Sequence, residues 1–229
     1  MNWLWSNLDQ VGELILVHLA LSVPAIILSF VFSVPIGWVA HRSRWAHSVL
    51  LSLVALLYAV PSLALFIALP AVTGLTLRSP VNLVIALTLY GMAVMVRTAA
   101  DAFDAVERDV LQSATAMGYS TTGRFWVVEL PLAGPVLLSG LRVVAVSTVS
   151  LATVGAVIGV QSLGSLFTDG FQRGIEVEII AGIVATIALA LGLDWVLVHV
   201  GRLLMPWSRP EVKNVRGEPT PVVKRVDVA

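Results

Sequence analysis

Residues Gln112–Pro131 read QSATAMGYSTTGRFWVVELP. Small, polar and glycine-punctuated residues stand here inside a chain of 229 residues that is 58% hydrophobic and only 12% charged. Such a stretch would strand polar groups in hydrocarbon, so it belongs in water or against protein. Its surroundings are different. Mean hydropathy is +0.92, more apolar surface than a soluble core of this size needs, and lipid is the solvent that accounts for the excess.

Working outward from that loop, apolar runs long enough to cross about 30 Å of hydrocarbon appear on both sides. Five spans are expected, at 14–40, 48–73, 80–97, 132–160 and 178–204. The fold class is therefore an all-α membrane protein of five transmembrane helices. Residues 1–13 form an external N-terminal segment, 98–131 a cytoplasmic loop, and 208–229 a tail with mixed charge and prolines that reads as disordered. The start MNWLWSNLDQVGE carries no positive charge and precedes an apolar run too long for a cleavable leader.

Basic residues set the orientation. With the N-terminus outside, Arg42, Arg44, Arg97, Arg108, Arg124, Arg202, Arg209, Lys213, Arg216, Lys224 and Arg225 are cytoplasmic, against Arg78 and Arg173 outside and Arg142 within the fourth span. That asymmetry is the positive-inside pattern. Trp3, Trp5, Trp38, Trp45 and Trp207 flank span ends, where an amphipathic ring is best placed.

Other classes are excluded or weakened. With no cysteine and a net charge of zero, the chain has no disulfide framework or thiolate metal site and no nucleic-acid footprint. No catalytic residue, metal site or cofactor is expected. The P-loop pattern needs a lysine, and Lys213 and Lys224 are the only lysines and stand outside any such pattern. Two other classes stay open on the residues alone. An ion-coupled secondary transporter would use Asp194 or Glu178 as a proton site. An intramembrane enzyme would need a nucleophile motif beside His18 or His199. Arg142 and Asp194 either snorkel or pair to lock helices, and His18 reads as structural.

Within the loop, Ala102, Ala105, Val106 and Val110 are spaced as an apolar stripe on a charged helix. Gly118 is placed to end that helix, Ser120 or Thr121 to cap the next, and Pro131 to start the fourth span. Proline at Pro24, Pro35, Pro61 and Pro70 kinks the first two spans.

These residues resemble the permeases of binding-protein-dependent ABC importers, whose cytoplasmic loop has the pattern E-A-A, three residues, G, nine residues, I-x-L-P. Gln112, Ser113 and Ala114 stand at the E-A-A positions, Gly118 follows at the matching spacing, and Val128-Glu129-Leu130-Pro131 closes the pattern. Gln112 and Ser113 depart from it. YAVPSLALFIALP (Tyr58–Pro70) and VIGVQSLGSLF (Val157–Phe167) are similar to segments of the osmoprotectant subgroup, which imports glycine betaine, carnitine, choline or proline. The resemblance implies the type I importer permease fold over residues 14–207. It implies a coupling loop carried by Gln112, Ser113, Ala114, Met117, Gly118, Leu130 and Pro131. Partners follow from the same resemblance: a cytosolic ATPase dimer, a second permease chain identical or related, an external substrate-binding protein and membrane lipid. Tyr58, Pro61, Ser62, Phe66 and Tyr90 are candidates for the translocation path.

Overall fold

The structure is a computed structural model that describes Trp3 and residues 6–208. The expectations for 209–229 lie outside the described residues. The described residues form helices: α1 (Leu8–Arg42), α2 (Arg44–Ala59), α3 (Ser62–Thr73), α4 (Pro80–Asp104), α5 (Arg108–Ala116), α6 (Thr121–Arg124), α7 (Leu130–Ala152), α8 (Ser165–Arg173) and α9 (Glu176–Leu204). A π-helical turn, Phe125–Glu129, joins α6 to α7, and a 3-10 turn, Thr153–Ile158, extends α7. Among the described residues four continuous helices are long and apolar enough to cross a membrane, and the bent pair α2–α3 brings the number to five when it is counted as one span.

Span boundaries differ from the sequence expectation at several ends. α1 begins at Leu8 rather than Leu14, taking in part of the supposed external segment. Trp3 packs with the outer core of Val11, Leu14, Leu163 and Leu166. The basic loop expected at 41–47 shrinks to Ser43, whose side chain accepts a hydrogen bond from the Ala46 amide and caps α2. α4 runs on to Asp104, past the expected end at Arg97.

The second span is not one rod. α2 and α3 meet at 107°. Val60 is extended at ψ 129° because a residue before proline is kept out of the helical region. Pro61 supplies no amide donor, and α3 restarts at Ser62.

The loop stripe also divides. α4 ends at Asp104 and α5 starts at Arg108. Ala102 and Val106 are buried, whereas Ala105 and Val110 face outward. Pro131 stands in the first turn of α7, as expected, but it does not follow a break in the chain. Helix continues from Thr121 to Ile158. Pro131 has no amide to donate, and in a regular helix its ring would clash with the carbonyl four residues earlier. The wide turn Phe125–Glu129 lies just where that relief is needed.

α4 is the central helix, packed on α1, α7, α2 and α3, and α9 leans on α7 and α8. α1 and α4 approach closely because Gly91 has no side chain: a Cβ there would lie 2.2 Å from Ser29 Oγ. Apolar burial forms one core around Leu21, Phe66, Leu83, Leu87 and Tyr90 and another around Val34, Met95, Phe103, Phe125 and Leu137. Between the first of these and the segment around Leu163 lies His18, fully buried. Its Nδ1 accepts from the Leu163 amide at 3.3 Å, so its Nε2–H donates to the Val149 carbonyl at 3.0 Å. That arrangement bears out its structural reading.

Candidate functional site

The polar loop becomes a short helix held against the bundle's inner end. Leu111 of α5 packs against the core that contains Phe103 and Phe125. Ala114 is buried at 1% exposure, so it faces the bundle. Gln112, Ser113 and Met117 face away from it, Met117 at 71% exposure. Gly118 closes the helix at φ +87°, a left-handed conformation that costs a side-chain-bearing residue about 1–2 kcal/mol. Its amide donates to the Thr115 carbonyl and that of Tyr119 to the Ala114 carbonyl, which satisfies the end of α5. Ser120 then accepts from the Gly123 amide at 3.2 Å and caps α6.

Behind this helix is a cluster that the sequence reading did not single out. Phe125 packs against Trp38 with ring centroids 4.9 Å apart and planes tilted by 58°, and its centroid lies 5.9 Å from that of Phe103. Glu129 is 3% exposed. Arg124 Nε donates to one of its oxygens at 2.7 Å and Trp38 Nε1 to the other at 2.6 Å. The signal was present: a carboxylate within an apolar run must find donors if it is buried.

Leu130 and Pro131 are half-buried and stand apart from the exposed face of α5. They line an apolar groove with Leu138, Gly201 and Trp207. The Trp207 indole donates to the Pro131 carbonyl at 3.3 Å. The residues that the sequence resemblance assigns to a coupling loop therefore fall into an exposed group, Gln112, Ser113, Met117 and Gly118, and a packed group, Ala114, Leu130 and Pro131.

A second feature lies at the α2–α3 break. Tyr58, Ser62, Tyr90, Gly91, Ser147 and Thr148 border a cavity of about 320 Å³ whose lining includes no ionisable group other than the two tyrosines. The Tyr58 and Tyr90 rings meet edge to face at 6.5 Å. The Tyr90 hydroxyl donates to the Val60 carbonyl, a group that the break at Pro61 releases from regular helix. Pro61 is exposed at the N-terminus of α3. Phe66 does not reach the cavity. It is fully buried in the core, and its carbonyl accepts from Asn82.

Potential proton sites are committed to ion pairs. Glu178 is fully buried, and Arg173 Nη2 lies 2.6 and 2.7 Å from its two oxygens. Asp194 receives two N–H groups of Arg142. Among the described residues no cluster of histidine or carboxylate side chains could hold a metal ion.

Comparison with known proteins bears on the family and the fold. The family model described as binding-protein-dependent transport system inner membrane component matches residues 30–210. An osmoprotectant import permease protein, OsmW, of Salmonella typhimurium is 29% identical over 90% of this chain and 97% of its own. A choline transport system permease protein, OpuBB, of Bacillus subtilis is 28% identical over 86% of this chain and 90% of its own. Among solved structures, an inward-facing form of the MetNI methionine ABC transporter superposes with a TM-score of 0.76, at 18% identity, over 87% of this chain and 98% of the matched one. At that identity the likeness speaks for the fold, which is the type I importer permease fold. By the family match over most of its length, this chain belongs to the binding-protein-dependent transport system inner membrane components: it is a multi-pass permease subunit of an ABC importer in the cell membrane.

Proposed function

We propose that the permease moves a small compatible solute such as glycine betaine, carnitine, choline or proline, with ATP hydrolysed on a separate cytosolic subunit. The observation that carries the substrate class is the cavity at the α2–α3 break. Its uncharged lining, two tyrosine faces and nearby hydroxyls suit a quaternary ammonium or a zwitterion. Aromatic faces attract such cations, and the absence of a fixed charge keeps the site from holding the solute too tightly to release it. The names of the two permeases reported above as similar to this chain support the same class.

In this reading the exposed residues of α5, Gln112, Ser113 and Met117, sit in a groove of the ATPase, and Gly118 shapes the end of the contact. Gln112 stands where relatives of the family carry glutamate, so the contact there is a neutral amide hydrogen bond rather than a charge-assisted one. Tyr58, 62% exposed, and its neighbours Leu56 and Leu63 leave the cavity open on one flank, and a second permease chain would close it. A substrate-binding protein delivers the solute from outside.

The test is uptake of each labelled solute into proteoliposomes holding the permease with its cognate ATPase and binding protein. ATP-dependent accumulation of at least one of the four solutes is expected. Uptake that needs an ion gradient and no ATPase, or ATP-driven uptake of a different solute class alone, would overturn the proposal.

A further inference from the structure

We propose that Glu129 is a positioning residue for coupling: its buried carboxylate ties the docking helix to the inner end of α1, so a displacement of α5 is passed to α1 as well as to α7. The inference rests on α5 being the ATPase contact. The backbone joins α5 to α4 on one side and to α6 and α7 on the other. It reaches α1 through side chains. Arg124 is the link, since its Nη1 donates to Thr115 Oγ1 of α5 at 3.0 Å while its Nε donates to Glu129 at 2.7 Å. From Glu129 the path continues to Trp38 of α1 at 2.6 Å. Trp38 is itself fixed by the Phe125 ring and by the Arg42 guanidinium 4.5 Å from its centroid.

Local backbone geometry makes this bridge possible. Arg124 and Glu129 are five residues apart, a spacing that points side chains in different directions on a regular α-helix. The π turn over Phe125–Glu129 has i to i+5 closure, which brings the two onto one face.

A stabilising role alone does not account for the chemistry. Apolar side chains would hold α1 against α7 without taking a charge out of water, and buried ion pairs add little to stability. A carboxylate bound on both oxygens by donors from different elements instead fixes distance and direction. That property is what transmission of a stroke requires.

The experiment compares solute moved per ATP hydrolysed in the full reconstituted importer. Wild type, Glu129→Gln and Trp38→Phe are measured alone, and the last two also combined. Trp38→Phe removes the indole donor and leaves a ring to stack on Phe125. The ratio is expected to fall about tenfold or more in Glu129→Gln, in line with the loss of a charge-assisted hydrogen bond. It is expected to fall in Trp38→Phe as well, with the double variant no worse than the more severe single one. Parallel loss of transport and hydrolysis at a constant ratio, or independent effects that multiply in the double variant, would overturn the proposal. Should Glu129→Gln fail to assemble, Trp38→Phe alone decides, and an unchanged ratio overturns it. Absence of ATP-driven uptake in the wild type would instead remove the functional reading on which this rests.

Discussion

Arg142 of α7 and Asp194 of α9 meet through two parallel contacts, Nε to Oδ1 at 2.6 Å and Nη2 to Oδ2 at 2.8 Å. This fork joins the two helices by polar side chains inside otherwise apolar spans. It settles the choice between snorkelling and pairing in favour of pairing. It also leaves Asp194 engaged by a permanent cation, unlike the free carboxylate that a proton-coupled carrier would need. Asp194→Asn and Arg142→Gln should each lower the melting temperature of the purified subunit. The double variant should lose less than the two single losses added, because breaking a pair strands one charge and removing both does not. Additive losses in thermal unfolding would contradict this.

At the α2–α3 break, Tyr90→Phe keeps the ring and removes only the donor to the Val60 carbonyl. The expected cost is about 1 kcal/mol, the usual penalty for leaving one acceptor without its partner. Amide hydrogen exchange at Val60 and Ser62 should quicken while exchange in α4 stays unchanged. Equal quickening throughout would mean that the hydroxyl does not hold the hinge.

Packing of α1 on α4 makes a sharper prediction. A Cβ at Gly91 would lie 2.2 Å from Ser29 Oγ and 3.1 Å from Val144 Cγ1, whereas one at Gly12 meets nothing within 4 Å. Gly91→Ala should destabilise by about 1–3 kcal/mol through overpacking. Gly12→Ala should be neutral or stabilise by up to about 1 kcal/mol through helix propensity. Thermal melts of both variants in one detergent check the ordering.

On the proposed docking face, a cysteine at Met117→Cys should crosslink to single cysteines placed along the ATPase groove, with a yield that changes when ATP is added. The native chain has no cysteine, so no background thiol competes. Leu16→Cys, 67% exposed near the other end of α1, serves as the control and should give no crosslink. Intact transport with no crosslink from Met117→Cys would place the ATPase contact elsewhere.

Gln112→Glu tests the departure at the same face. It restores a charge beside the exposed side of α5 and should tighten the ATPase complex by a few-fold, the effect falling as salt rises. Unaltered affinity at low salt would mean that Gln112 lies outside the contact.

Much of the architecture was legible because a membrane span needs only length and apolarity, and both are local in sequence. The five-span layout and the place of the polar loop between α4 and α7 follow from those alone. Gly118 as the end of a helix, and Ser120 as the next cap, were equally local: a positive φ and a side-chain acceptor act on neighbouring backbone. Pro61 marked a weak point in the second span but not its 107° bend, where the Tyr90 hydroxyl takes the Val60 carbonyl. The stripe Ala102, Ala105, Val106 and Val110 misled because periodicity assumes an unbroken helix, and α4 stops at Asp104.

What the sequence by itself determined was membrane residence, the apolar runs long enough to span and the polar loop between the third and fourth of them, because hydropathy and short-range capping act over a few turns of chain. Tertiary structure decided which side chains share a site. Trp38 and Glu129 are 91 residues apart, Arg142 and Asp194 are 52 apart, and Phe66 turned into the core while Tyr90 reached the cavity. Such pairings depend on how the helices cross and rotate against one another, which no local pattern in the chain encodes.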